Sequence, residues 1–222
     1  MLAVQSTRYC VPSLARPQPT DVKLQDPKAE LLGILMAKSV RHGTFTLSSG
    51  AISDLYVDAK LTTSDPRAAL LVGKVGWEIV KQTSGMLNSR VDSIGGLTMG
   101  ADWMALSIGI AAHLDSALND VKTFSVRKDA KKHGLLKLIE GNFAAGQSVV
   151  VVDDVITTGG STIQAINAIE AACGRVAFVV VLVDRQEGGC KAIEDLGHKV
   201  VPVFTRTDLI GVDASRSHIA AA

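Results

Sequence analysis

Residues 149–152 are four consecutive valines, and residues 176–183 run Val-Ala-Phe-Val-Val-Val-Leu-Val without a polar break. A strand with one wet face alternates apolar and polar side chains, whereas these stretches offer water nothing on either face. They fit strands covered on both sides, as in a parallel sheet flanked by helices. The surrounding pattern repeats strand, turn and helix: 91–95 before 101–114, then 122–126, then 148–152 before 161–173, then 176–183. The expected fold is α/β, a doubly wound parallel sheet. An apolar fraction of 47% over 222 residues supplies enough material for its core.

Asp26-Pro27 reads as a helix cap with proline in the first turn, and Leu31, Leu32, Ile34 and Leu35 follow at helical spacing up to a stop at His42-Gly43. Residues 44–60 read as irregular strands around the turn Ser48-Ser49-Gly50. Ser64-Asp65-Pro66 opens a second capped helix, carrying Leu70, Leu71, Val75, Ile79 and Val80 to a stop at Ser84-Gly85. The expected division is a disordered leader over 1–25, an N-terminal helix and small hood subdomain over 26–64, the α/β core over 65–206, and a tail over 207–222.

Composition narrows the function classes. Lys and Arg number 23 against 22 Asp and Glu, a formal charge of +1, so bulk electrostatics point to neither nucleic acid nor membrane. No apolar run approaches the roughly 20 residues of a membrane span. The first twenty residues hold Arg8 and Arg16, no acid, and Pro12, Pro17 and Pro19, which is not a secretory signal. Cys10, Cys173 and Cys190 are odd in number and far apart, matching neither a zinc site nor a disulfide framework, so a reducing, cytoplasmic setting is expected. Cys173, in the apolar helical stretch 163–173, reads as a small core hydrophobe.

The most informative chemistry follows the valine run. Asp153-Asp154 stand at its end, where open α/β sheets place ligands, and Val155-Ile156-Thr157-Thr158-Gly159-Gly160-Ser161-Thr162 lead into an amphipathic helix. Glycines let backbone N–H groups approach a phosphate closely, the helix start adds its dipole, and the hydroxyls of Thr157, Thr158, Ser161 and Thr162 add donors. The carboxylates would repel phosphate, but they accept hydrogen bonds from vicinal sugar hydroxyls and attract a divalent cation. A ribose 5-phosphate is the implied ligand. The segment has neither the lysine of a Walker loop nor the glycine spacing of a dinucleotide loop, and a purely structural turn would leave two strand-end carboxylates as uncompensated cost.

Upstream, Arg127-Lys128-Asp129-Ala130-Lys131-Lys132-His133-Gly134 is a dense cationic run. Taken alone it reads as a solvated surface loop. Beside a ribose-phosphate site, its guanidinium fork and lysine charges suit a departing pyrophosphate.

The strand-end segment resembles the phosphoribosyl pyrophosphate signature of the type I phosphoribosyltransferases, and Arg-Lys-x-x-Lys-x-His-Gly resembles the mobile catalytic loop of the orotate phosphoribosyltransferases. The stretch from Phe45 to Ser53 with Tyr56-Val57-Asp58 is similar to that family's hood motif, and Val183-Asp184-Arg185-Gln186-Glu187 to its base-recognition segment. The likeness covers roughly residues 27–205. It implies transfer of a phosphoribosyl group to orotate, with Asp153 and Asp154 on the ribose hydroxyls, the 157–162 loop on the 5'-phosphate, and Val155, Ile156, Thr157, Thr158, Gly159, Gly160 and Ser161 all among the residues that bind phosphoribosyl pyrophosphate. It further implies Arg127, Lys128, Lys131 and His133 on the diphosphate, and Tyr56, Val57, Thr157 and Arg185 on orotate. Lys131 or His133 is the expected proton donor to pyrophosphate. Magnesium is the implied cofactor, held mainly by phosphoribosyl pyrophosphate near Asp153 and Asp154 with no direct protein ligand. The implied assembly is a homodimer in which loop 127–139 reaches the partner's site. The chain departs from some relatives in carrying Ser48 and Met99 where they carry lysines.

Arg185 and the hood motif argue against a purine-specific transferase. A non-catalytic regulator with the same fold would need a nucleic-acid-binding appendage, and none is visible.

Overall fold

A computed structural model of the protein describes residues 26–46, 52–116, 120–129 and 138–211. Asp26 caps α1 (Pro27–Lys38) by accepting the Lys28 N–H at 3.0 Å. The helix ends at Lys38, not at His42-Gly43. Those two residues lie inside β1 (Val40–Thr46), which pairs antiparallel with β2 (Ile52–Val57) through Val40 opposite Val57. Both valines are buried, so tertiary pairing of β-branched side chains overrides the His-Gly stop signal. The expected turn at Ser48-Ser49-Gly50 lies outside the described residues.

A short helix α2 (Lys60–Thr63) leads to α3 (Pro66–Leu87), whose N-cap Asp65 accepts the Arg67 and Ala68 N–H groups, each at 3.1 Å. The expected stop at Ser84-Gly85 does not hold. The helix runs on until Asn88, at φ 47°, closes it in the left-handed conformation with its N–H turned back to Gly85 and Ser84. A glycine weakens a helix by only about 1 kcal/mol and a serine by less, which is below what the packing of its buried Val72, Val75 and Val80 contributes.

The remaining elements are β3 (Ser93–Leu97), α4 (Gly100–Asp115), β4 (Lys122–Val126), β5 (Ile139–Gly141), β6 (Ser148–Ile156), α5 (Gly160–Ala171), β7 (Arg175–Asp184), α6 (Gly189–Glu194) and β8 (Val200–Thr205). They form a sheet ordered β5-β4-β3-β6-β7-β8. Its five longer strands are parallel, and β5 joins the β4 edge antiparallel. Alternate residues of β6 feed two cores. Val150 and Val152 pack with Phe178, Val180 and Leu182 against α1, α3 and α4, while Val149 and Val151 pack with Val179 and Val181 against Ile166 and Ile169 of α5. The doubly wound reading is therefore correct. Leu55 and Val57 of the hood, and Leu209 in the helical residues 206–211, join the first core.

Cys173 departs from expectation. It lies beyond the end of α5, exposed and at φ 59°, where the chain reverses into β7.

Candidate active site

β6 outruns its neighbour. It pairs with β3 only through Val151 but continues beside β7 to Ile156 opposite Asp184, so Asp153 and Asp154 sit within the strand, past the last β3 pair. Both are buried, at 5% and 7% exposure. Fully burying each of the four valines behind them stabilises by about 1.5–3 kcal/mol, which offsets the several kcal/mol of desolvating a carboxylate.

The alternation of the strand sends the two carboxylates to different partners. Asp153 faces α5, where Thr162 Oγ1 donates to its Oδ2 at 2.6 Å, and the Asp154 N–H donates to its Oδ1 at 3.0 Å. Asp154 accepts the Val155 N–H at 2.9 Å, while its buried Oδ2 has no hydrogen-bond partner and lies 3.8 Å from Lys60 Nζ. Lys60 also pairs with Asp58 at 3.0 Å. Burial, reinforced by the Asp154 charge, pushes Asp153 up to about 7 against the stabilising Thr162 hydroxyl. Burial likewise raises Asp154, against the pull of Lys60. Burial tends to lower Lys60, but its hydrogen bond to Asp58 and the charge of Asp154 hold it above the ordinary lysine value.

The following turn opens outward. Gly159 takes φ 84°, no side chain caps α5, and Thr158 before the cap and Gly160 and Ser161 in the first turn are exposed. This is a helix start with unclaimed N–H groups and hydroxyls beside two carboxylates, a cradle for a phosphate on a sugar. Thr162 departs from expectation: its hydroxyl is buried on Asp153 and is not a phosphate donor. The Ile156 side chain belongs to the core, so toward a ligand it offers only its backbone.

At the next strand end, Arg185 is 3% exposed. Its Nη2 donates to Ser53 Oγ at 2.8 Å and pairs with Glu187 at 2.8 Å, and its Nε is buried without a hydrogen-bond partner. In the hood, Tyr56 is exposed and stacks near Phe45 at 5.5 Å between centroids, whereas Val57 turns its side chain into the core. Val57 can therefore line a pocket only through its backbone. Arg127 and Lys128 leave β4 beside α5: Gln164 Nε2 donates to the Lys128 carbonyl at 2.8 Å, and Arg127 Nε to the Asp129 carbonyl at 3.3 Å. Lys131, His133 and Ser48 lie outside the described residues.

Three features escaped the sequence reading. Lys60 reaches the acid pair, yet nothing around a single lysine after a strand announces it. Asp102, in the first turn of α4, accepts from Thr98 at 2.7 Å and from Ser125, tying the segment after β3 to β4; an acid there reads simply as a complement to the helix dipole. Gly100 lies against both carboxylates, and a Cβ there would come within 2.4 Å of Asp154 Oδ1. Met99 is 60% exposed. Among the described residues no cluster of three or more His, Cys, Asp or Glu side chains is placed to hold a metal, and no helix is long and apolar enough to cross a membrane.

A mostly parallel sheet with an acid pair and an open helix start at its central strand end defines the phosphoribosyltransferase class, and the family described as phosphoribosyl transferase domain matches residues 96–205. The chain is 40% identical over 182 residues to the orotate phosphoribosyltransferase of Aquifex aeolicus, spanning 82% of this chain and 95% of the relative. It is 42% identical over 172 residues to that of Streptomyces coelicolor, spanning 78% and 90%. The structure of Mycobacterium tuberculosis orotate phosphoribosyltransferase in complex with 5-phospho-α-D-ribosyl 1-diphosphate superposes with a TM-score of 0.68 at 34% identity, covering 83% of this chain and 99% of that one. The chain belongs to the orotate phosphoribosyltransferase family.

Proposed function

We propose that the protein transfers the 5-phosphoribosyl group of phosphoribosyl pyrophosphate to orotate, giving orotidine 5'-phosphate and pyrophosphate in de novo pyrimidine biosynthesis. One observation carries this reading beyond family membership. Neighbouring strand ends present complementary chemistry, a buried acid pair before an open helix start on β6 and a buried arginine with a free Nε on β7. The first suits a ribose 5-phosphate and the second a planar carboxylate.

In this reading Asp153 and Asp154 accept hydrogen bonds from the ribose hydroxyls. Backbone and hydroxyl groups of residues 155–161 hold the 5'-phosphate, and Arg185, Thr157, Tyr56 and the Val57 backbone hold orotate. The bond from the anomeric carbon to the diphosphate oxygen breaks, a bond to an orotate ring nitrogen forms, and that nitrogen loses its proton. No protein nucleophile is needed; positioning and charge stabilisation lower the barrier. Arg127, Lys128, Lys131 and His133 neutralise the departing diphosphate, and Lys131 or His133 protonates it. Loop 127–139 does so in the partner's site of a homodimer.

Magnesium fits on one condition. Asp154 Oδ2 is buried and lacks a hydrogen-bond partner, but two strand carboxylates are too few for a protein cage, so Asp153 and Asp154 would stand near an ion held mainly by the substrate's oxygens. When bound it supplies positive charge beside the diphosphate. The widely spaced cysteines support a cytoplasmic setting.

The test is orotate consumption followed by ultraviolet absorbance with phosphoribosyl pyrophosphate and magnesium, beside parallel reactions offering adenine, hypoxanthine and uracil. Consumption of orotate alone, abolished by a chelator, is expected. A flat trace for every base from a protein that still binds the donor would overturn the reading.

A further inference from the structure

Arg185 is buried at the end of β7, yet what orients it comes from the other end of the chain. Its Nη2 carries two hydrogens, and both are committed: one to Ser53 Oγ at 2.8 Å, the other to Glu187 Oε1 at 2.8 Å. Ser53 stands on β2 of the hood, 132 positions upstream. Its hydroxyl is oriented before any ligand arrives. It donates its single hydrogen to the Leu55 carbonyl at 2.9 Å and accepts the Leu55 N–H at 3.2 Å, so toward Arg185 it can act only as an acceptor. The adjoining residue, Asp54, takes a two-point contact from Arg206 Nη2 at 2.8 and 2.9 Å, which ties the same strand to the segment after β8.

The two partners of Arg185 do different work. Glu187 neutralises the guanidinium, which a buried cation needs. Ser53 adds no charge, so it fixes direction without opposing an incoming carboxylate. Nε remains, buried and without a hydrogen-bond partner. A donor left in that state is costly until a ligand oxygen reaches it.

We propose that Ser53 is a positioning residue for base recognition: its hydroxyl sets the Arg185 guanidinium so that the unpartnered Nε–H meets the carboxylate of the substrate, making the hood strand a determinant of specificity. The proposal rests on the reading of Arg185 as the carboxylate receiver. An arginine side chain has many rotamers, and freezing them at folding spares that ordering cost at binding. Losing Ser53 returns the cost to the binding step for orotate alone, because the ribose-phosphate end of the site does not use it.

Full-length Ser53→Ala, Ser53→Thr and Arg185→Ala enzymes are compared with wild type for KM of orotate, KM of phosphoribosyl pyrophosphate, kcat, and the ratio of kcat/KM for orotate over uracil. Uracil is the same ring without the carboxylate. Ser53→Ala is expected to raise the orotate KM about tenfold and lower the orotate-to-uracil ratio by a similar factor, the order of one lost hydrogen bond to a charged group. The donor KM and kcat stay within about twofold, and Ser53→Thr, which keeps a hydroxyl, restores the ratio. The ratio does not depend on how much enzyme is folded, so it reads the proposal even in a destabilised variant. An unchanged ratio in Ser53→Ala beside a collapsed ratio in Arg185→Ala overturns the positioning role and leaves the role of Arg185 intact. An unchanged ratio in Arg185→Ala removes the reading beneath it.

Discussion

β6 and β7 are neighbours with nearly the same construction, a buried valine-rich strand ending in charge, then glycines, then a helix. Their ends are opposite in character. β6 delivers two carboxylates whose ionised forms burial disfavours, followed by an uncapped helix of 12 residues. β7 delivers one buried guanidinium, neutralised by Glu187 and held by the hood. The scaffold is common, and the difference lies in the charged residues that follow the buried valines of each strand. The ends are also mechanically joined. The Gly189 N–H donates to the Thr157 carbonyl at 2.9 Å, and a Cβ on Gly189 would come within 2.7 Å of the Gly159 nitrogen. Each glycine turn leaves room for the other, so the turn after β6 and the turn after β7 form one packed edge.

Removing the charge of the β6 end should give the largest effect. The Asp153→Asn/Asp154→Asn double variant is expected to lose about 10²–10³ in turnover, as removal of preorganised polar contacts does elsewhere, while remaining folded by circular dichroism. Turnover within a few-fold of wild type would show that the acid pair is structural.

The second effect separates the two ends by pH. Asp153 releases its proton near 3.8 when unfolded but only at about 7 when folded. The folded state therefore holds a proton that the unfolded state gives up between those values, and stability falls as pH rises through that window and then levels off. The contribution is on the order of a few kcal/mol, read as the wild-type minus Asp153→Asn difference in denaturant melts. The difference removes the surface carboxylates such as Asp65, held below the usual range first by Lys38, whose stabilisation is lost on acidification instead. A flat difference from pH 4 to 7 would mean that Asp153 is not desolvated as described.

The smallest effect tests the joint between the ends. Gly189→Ala places a methyl 2.3 Å from Ile156 Cγ2 and 2.5 Å from the Thr157 carbonyl, so backbone must move. A loss of about 1–3 kcal/mol is expected, with weakened binding of both orotate and the donor. Weakening of only one would show that the two loops move independently.

Much of this was legible in advance because it depends on local rules. Proline and aspartate at the helix starts, unbroken valine runs and the Asp-Asp-x-x-Thr-Thr-Gly-Gly order each carry their physical meaning within a few residues. What failed were signals that packing overrules. His42-Gly43 sits in a strand, Ser84-Gly85 inside a helix, and Thr162 faces Asp153 because the helix phase turns it inward. Cys173 is exposed because the chain turns one residue past the cap of α5.

The sequence by itself determined the class of sheet, the position of the acid pair and the chemistry of the turn after it, since each follows from side-chain type and short spacing. Only the tertiary structure decided that Lys60 lies against Asp154, that Gly159 and Gly189 share one edge, and that Ser53 reaches Arg185. Those contacts join residues 30 to 132 positions apart. No local pattern encodes such pairs; they exist because a parallel sheet gathers distant strand ends at one edge and the hood packs into the same core.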